Sequence, residues 1–127
     1  MQGKIAKILI CEDEPSHSRA LTEKLSKEGF ELQVAPNGEA CLVMAKKDHP
    51  DVIVLDLILP KKDGFAVLKE IRNDHELKET AVVVVSNLSE DADIKETLSL
   101  GAKDYFVKSQ HPINEIVEKI LELAPKK

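Results

Sequence analysis

No apolar run in this 127-residue chain approaches the roughly 18 residues that would span a membrane, and its opening Met-Gln-Gly-Lys-Ile-Ala-Lys holds no apolar signal segment. The expectation is a cytoplasmic protein with no membrane partner. A basic excess is also missing. Eighteen Lys and Arg stand against 23 Asp and Glu, a net charge of -5, which argues against direct nucleic-acid binding through a broad electrostatic footprint. Cysteine is scarce. Cys11 and Cys41 form no Cys-x-x-Cys and no cluster with histidine at metal spacing, so both are read as reduced, small core residues. There is no internal repeat and no low-complexity segment, and the length suits a single domain, 1–127.

What the chain does have is the stretch Val52 to Gly64, V-I-V-L-D-L-I-L-P-K-K-D-G. Four apolar residues, mostly β-branched, followed by turn formers describe a strand buried on both faces. Asp56 then stands at its C-terminal end. In an open α/β sheet that end borders the crevice where ligands bind, although an Asp there also serves simply to shape the next turn.

The remaining chain repeats the pattern of strand and helix. Ile8-Leu9-Ile10-Cys11 leads into Glu12-Asp13-Glu14-Pro15; Pro15 suits a first helical position, with Leu21 and Leu25 on one face before Gly29. Glu31 to Ala35 alternates polar and apolar residues, as an edge strand does, and Pro36-Asn37-Gly38 turns into a helix reaching Lys47. After Gly64 a helix carries Phe65, Leu68 and Ile71. Ala81 to Val85 is a second fully buried strand ending at Ser86-Asn87. A helix from Asp91 to Leu100 stops at Gly101, and the short strand Asp104-Tyr105-Phe106-Val107 delivers Lys108. In the last helix Ile113, Ile116, Val117, Ile120, Leu121 and Ala124 make one stripe.

Five strands alternating with five helices predict an α/β three-layer (βα)5 sandwich of the flavodoxin-like class. Its parallel five-stranded sheet takes the order 2-1-3-4-5, with the continuous apolar strands central. That order gathers Glu12, Asp13, Asp56, Ser86 and Lys108 at one end of the sheet. Clustered carboxylates repel one another unless a cation sits among them, and hard oxygen donors suit Mg²⁺. Asp56 is then placed to act as a nucleophile toward a phosphoryl group, with Ser86 and Lys108 meeting its oxygens. The histidines, His17, His49, His75 and His111, have no partner at ligand spacing and are read as surface residues.

At these residues the sequence resembles the receiver domains of two-component response regulators. The resemblance rests on the acidic pair after the first strand, D-x-x-x-P-x-x-x-G from Asp56 to Gly64, Ser86, and G-A-K-D-Y-F-V-K from Gly101 to Lys108. It implies Asp56 as phosphoacceptor, and Asp13, Asp56 and the Ile58 carbonyl as Mg²⁺ ligands, with Glu12 supporting through water. Ser86 and Lys108 become phosphoryl contacts, and Ser86 and Tyr105 the coupled switch. It also implies a histidine kinase or phosphotransfer protein as donor, and a protein target or dimer met through the face of helix four, strand five and helix five. The chain would be a switch, not an enzyme beyond its own phosphorylation and dephosphorylation. Three departures from the family pattern stand out: Ser109 replaces the usual proline and favours a trans Lys108-Ser109 bond, Asn87 is larger than the usual residue, and Ile58 and Leu88 are apolar. An aspartate-nucleophile Mg²⁺ phosphatase would need a second Asp at Ile58, flavodoxin a hydroxyl- and glycine-rich first loop, and an unphosphorylated interaction module has no use for the acidic set.

Overall fold

A computed structural model describes residues 5–125, so the domain limits expected at 1 and 127 lie outside the described residues. The elements run β1 (Lys7–Cys11), α1 (Pro15–Ser26), β2 (Glu31–Ala35), α2 (Gly38–Asp48), β3 (Val52–Leu55), α3 (Gly64–Asn73), β4 (Ala81–Ser86), α4 (Asp91–Ser99), β5 (Asp104–Val107) and α5 (Ile113–Leu123). The five strands form one parallel sheet in the order β2-β1-β3-β4-β5. This is the topology expected from the alternation of apolar runs. No helix among the described residues is long and apolar enough to cross a membrane.

Strand side chains alternate between two apolar layers, as the period of two requires. Ile8, Ile10, Val52, Val54, Val83 and Val85 face Leu21 and Leu25 of α1 and Ile116, Val117 and Ile120 of α5. Leu9, Ile53, Leu55, Val82 and Val84 face the layer that contains Leu42 and Ala45 of α2 and Val67, Leu68 and Ile71 of α3. The stripe expected on α5 is the one buried.

Helix starts are set by local chemistry. Asn37 accepts from the Ala40 N–H at 2.8 Å, Asp63 from the Ala66 N–H at 3.0 Å, and Pro15 opens α1. Two glycines allow backbone to approach backbone beside the strand ends. A Cβ on Gly64 would collide with the Asp56 carbonyl oxygen and the Leu57 Cα, and one on Gly38 with the Lys62 carbonyl. Each start is thereby pressed against the loop that follows β3.

The cysteines correct the sequence expectation. Cys11 and Cys41 are joined in a disulfide, with Cα atoms 5.9 Å apart. Cys11 ends β1 on the face covered by α2, and Cys41 lies in the first turns of that helix, so the two side chains meet across the layer. Both are buried, as small core residues should be, but they are paired and not reduced.

Candidate functional site

Asp56 is the residue after β3, and its position is fixed by its own backbone: its N–H donates to the Cys11 carbonyl at 3.0 Å, tying the end of β3 to the end of β1. The side chain is buried. Its Oδ1 accepts from the Ile58 N–H at 3.0 Å and its Oδ2 from Lys108 Nζ at 2.8 Å. Lys108 leaves β5, whose pairing with β4 continues in its N–H bond to the Ser86 carbonyl at 2.9 Å. Ser86 ends β4 fully buried, its hydroxyl oxygen 3.4 Å from the Leu88 N–H. Strand pairing alone therefore brings Asp56, Ser86 and Lys108 to one place.

Glu12 and Asp13 come to the same place from β1. Glu12, Asp13 and Asp56 each offer a carboxylate oxygen, and these oxygens lie within 4.8 Å of one another. Asp13 is exposed and Glu12 buried. A set of hard, anionic oxygens with one exposed member fits a small divalent cation that keeps some of its water. Asp13, Asp56, Ile58, Asn87 and Lys108 line a cavity of about 260 Å³ over the cluster.

The charges do not settle equally. Burial pushes the Asp56 carboxyl above its ordinary pKa, the bonds from Lys108 and the Ile58 N–H oppose the rise, and the Glu12 charge adds to it. Burial acts on Glu12 in the same direction, but contacts with His17, Lys108 and the Glu14 N–H outweigh it and hold its carboxyl at about 2. One ammonium serves both carboxylates; Glu12 has further donors, so Asp56 bears the repulsion. Lys108 is held above its ordinary pKa: burial disfavours the ammonium, and bonds with Asp56, Glu12 and Glu14 overcome that cost.

Tyr105 is buried, its ring turned inward and its hydroxyl donating to the Leu88 carbonyl at 2.6 Å. Burial raises its pKa. Ile58, expected through its carbonyl, lies at the cavity with its side chain half exposed. No peptide bond among the described residues is cis, so Lys108-Ser109 is trans as Ser109 suggested.

Two neighbours escaped the sequence reading. Glu14 Oε1 lies 2.7 Å from Lys108 Nζ. His17, read as a surface residue, places its Nδ1 3.2 Å from Glu12 Oε1 with little exposure. The signal was present: a helix opening at Pro15 puts His17 in its first turn, over the strand end just left. His111 is also partly buried, its ring set edge-on to Phe106 with Nδ1 accepting from the Val107 N–H at 3.0 Å. His49 and His75 are exposed as expected.

Known proteins resemble this chain in sequence and in fold. A family model described as the response regulator receiver domain matches residues 8–121. A probable transcriptional regulator ycf27 of Galdieria sulphuraria is 40% identical over 106 residues, 84% of this chain and 40% of that protein. The response regulator PleD of Caulobacter vibrioides is 34% identical over 112 residues, 88% of this chain and 24% of that protein. The chain thus spans less than half the length of these curated relatives. Among solved structures, the receiver domain of a Francisella response regulator superposes with a TM-score of 0.85 at 28% identity, covering 93% of this chain and 95% of that one. The Mn(2+)-bound form of response regulator Rcp1 gives 0.84 at 30% identity, covering 95% and 99%.

Proposed function

The chain belongs to the response regulator receiver domain family, and from that membership we propose that it is a phosphorylation switch whose phosphoacceptor is Asp56. The observation that supports this reading most is the Asp56 to Lys108 contact of 2.8 Å inside an acidic cluster, at the end of the sheet where Ser86 also emerges.

In the reaction an Asp56 carboxylate oxygen attacks the phosphorus of the donor. The bond from phosphorus to the donor breaks as the new one forms, and the leaving group departs with the bonding pair. The product is an acyl phosphate on Asp56. Lys108 neutralises charge on the transferred oxygens, and the Ser86 hydroxyl donates to one of them. Asp13, Asp56 and the Ile58 carbonyl would hold Mg²⁺, with Glu12 acting through a water; when bound, the ion supplies further charge neutralisation on the phosphoryl oxygens. That Rcp1 is described in a Mn(2+)-bound form supports a divalent cation at this acidic set.

The donor is a histidine kinase or phosphotransfer protein, and the receiver domain transfers phosphoryl only to and from itself. Output runs through Ser86 and Tyr105 to the face of α4, β5 and α5, where a protein target or a second copy docks. The net negative charge favours a protein over nucleic acid as that direct partner, and the setting is the cytoplasm.

The test is intact mass after incubation with acetyl phosphate and Mg²⁺. One phosphoryl adduct is expected, dependent on the metal and lost in Asp56→Asn. An adduct that persists in Asp56→Asn would overturn the assignment.

A further inference from the structure

Three carboxylates crowd the Lys108 ammonium: Glu14 Oε1 at 2.7 Å and Asp56 Oδ2 at 2.8 Å accept hydrogen bonds from it, and Glu12 Oε1 lies at ion-pair distance, 2.7 Å. With three carboxylates around one ammonium whose side chain is 7% exposed, an incoming phosphoryl oxygen reaches Lys108 by displacing one of them. Asp56 is itself the acceptor. Glu12 is 3% exposed and also accepts from the Glu14 N–H at 3.0 Å. Glu14 differs from both. Its side chain is 56% exposed, and its carboxylate has no other hydrogen bond among the described residues, so it can exchange Lys108 for water at little cost.

Its place in the chain points the same way. Glu14 is the residue just before α1, at the position where a short side chain ordinarily caps the helix, yet its side chain caps nothing and reaches Lys108, 94 residues away. A local rule broken at a site is a sign that the residue serves the site. Glu14 and Lys108 also line both the 260 Å³ cavity over Asp56 and a wider groove of about 470 Å³ bounded by His17 and Ser109. The pair stands between the groove and the acceptor.

Resting on the phosphoacceptor reading above, we propose that Glu14 is a releasable clamp on Lys108 that competes with incoming phosphoryl oxygens and so sets how readily small anionic donors phosphorylate Asp56. In the resting state the clamp keeps Lys108 occupied. Phosphoryl transfer goes forward when the Glu14 carboxylate swings to solvent and the freed N–H turns to the phosphoryl group. No bond beyond that hydrogen bond is made or broken by Glu14, so it is a positioning residue.

The experiment measures the rate of Asp56 phosphorylation by acetyl phosphate at saturating Mg²⁺ in the wild type, Glu14→Gln and Glu14→Asp. Loss of one partly exposed ion pair corresponds to an acceleration of about two- to fivefold in Glu14→Gln. Glu14→Asp keeps the charge but is a methylene too short for the contact, and should accelerate comparably. Raising salt from about 0.05 to about 0.5 M should speed the wild type toward the variants, because screening loosens the clamp. Rates for Glu14→Gln equal to or below wild type would overturn the proposal. So would acceleration in Glu14→Gln with Glu14→Asp unchanged, which would mean charge at the mouth acts without a clamp. Absence of labelling in the wild type and both variants would instead overturn the phosphoacceptor reading, and the clamp with it.

Discussion

Arg72, on the last turn of α3, should be the costliest single polar side chain to lose outside the acceptor site. Its guanidinium donates to four carbonyls: Leu100 at 3.0 Å, Lys78 at 3.0 Å, Thr80 at 2.9 Å and Gly101 at 2.8 Å. It thereby joins α3 to the loop before β4 and to the turn before β5, and burial lowers its pKa. Gly101 has a positive φ of 95°, and a Cβ there would press on the Arg72 side chain, so the turn is shaped to admit the guanidinium. In Arg72→Met the apolar stem is kept and the four bonds are lost. The carbonyls of Lys78 and Gly101 can turn to water, whereas the bonds to Leu100 and Thr80 are partly buried. Two charge-assisted bonds at about 1.5 kcal/mol each give a loss of about 3 kcal/mol. With an unfolding entropy of about 2.1 cal/mol/K per residue, that loss lowers Tm by about 11 °C. Urea and thermal unfolding of Arg72→Met and Arg72→Lys would measure it, with Lys expected between Met and wild type since one ammonium cannot reach all four oxygens. A loss below about 1 kcal/mol in Arg72→Met, with an unchanged urea dependence, would refute the reasoning.

Two other outcomes follow from the site. Glu12, held at about 2 in the fold against an ordinary 4.5, contributes stability that is fully present above 4.5 and lost as pH falls toward 2; urea midpoints taken from about pH 6 to about pH 3 should fall more steeply in wild type than in Glu12→Gln. Asp13→Ala should weaken Mg²⁺ binding far more than Glu12→Gln, since the exposed Asp13 offers a direct oxygen while Glu12 is engaged by Lys108 and the Glu14 N–H; a metal titration giving the reverse order would exchange their roles.

The parts of this molecule readable from sequence are those whose cause lies within a few residues. A strand buried on both faces must be apolar throughout, so β1, β3 and β4 appear as unbroken runs, and the residue that ends each run is the one the strand delivers. Asp56, Ser86 and the Glu12-Asp13 pair are legible in this way as the residues at the ends of β3, β4 and β1. Placing the less apolar strands outside is satisfied by the order of the flavodoxin-like class, which is the order of this sheet. Gly64 could be seen as a turn former, but the reason for glycine, the Asp56 carbonyl against its Cα, appears only when α3 is laid beside β3.

What escaped depends on where side chains of distant segments meet. The Cys11–Cys41 pairing needs the face of the sheet that α2 covers, and Arg72 needs a turn 28 residues on. Glu14 is the sharpest instance. One residue past an acidic pair and one before a proline, it reads as part of a helix start, and its sequence neighbours explain it fully on those terms. Only the reach of Lys108 from β5 brings its carboxylate to the same ammonium that Asp56 contacts.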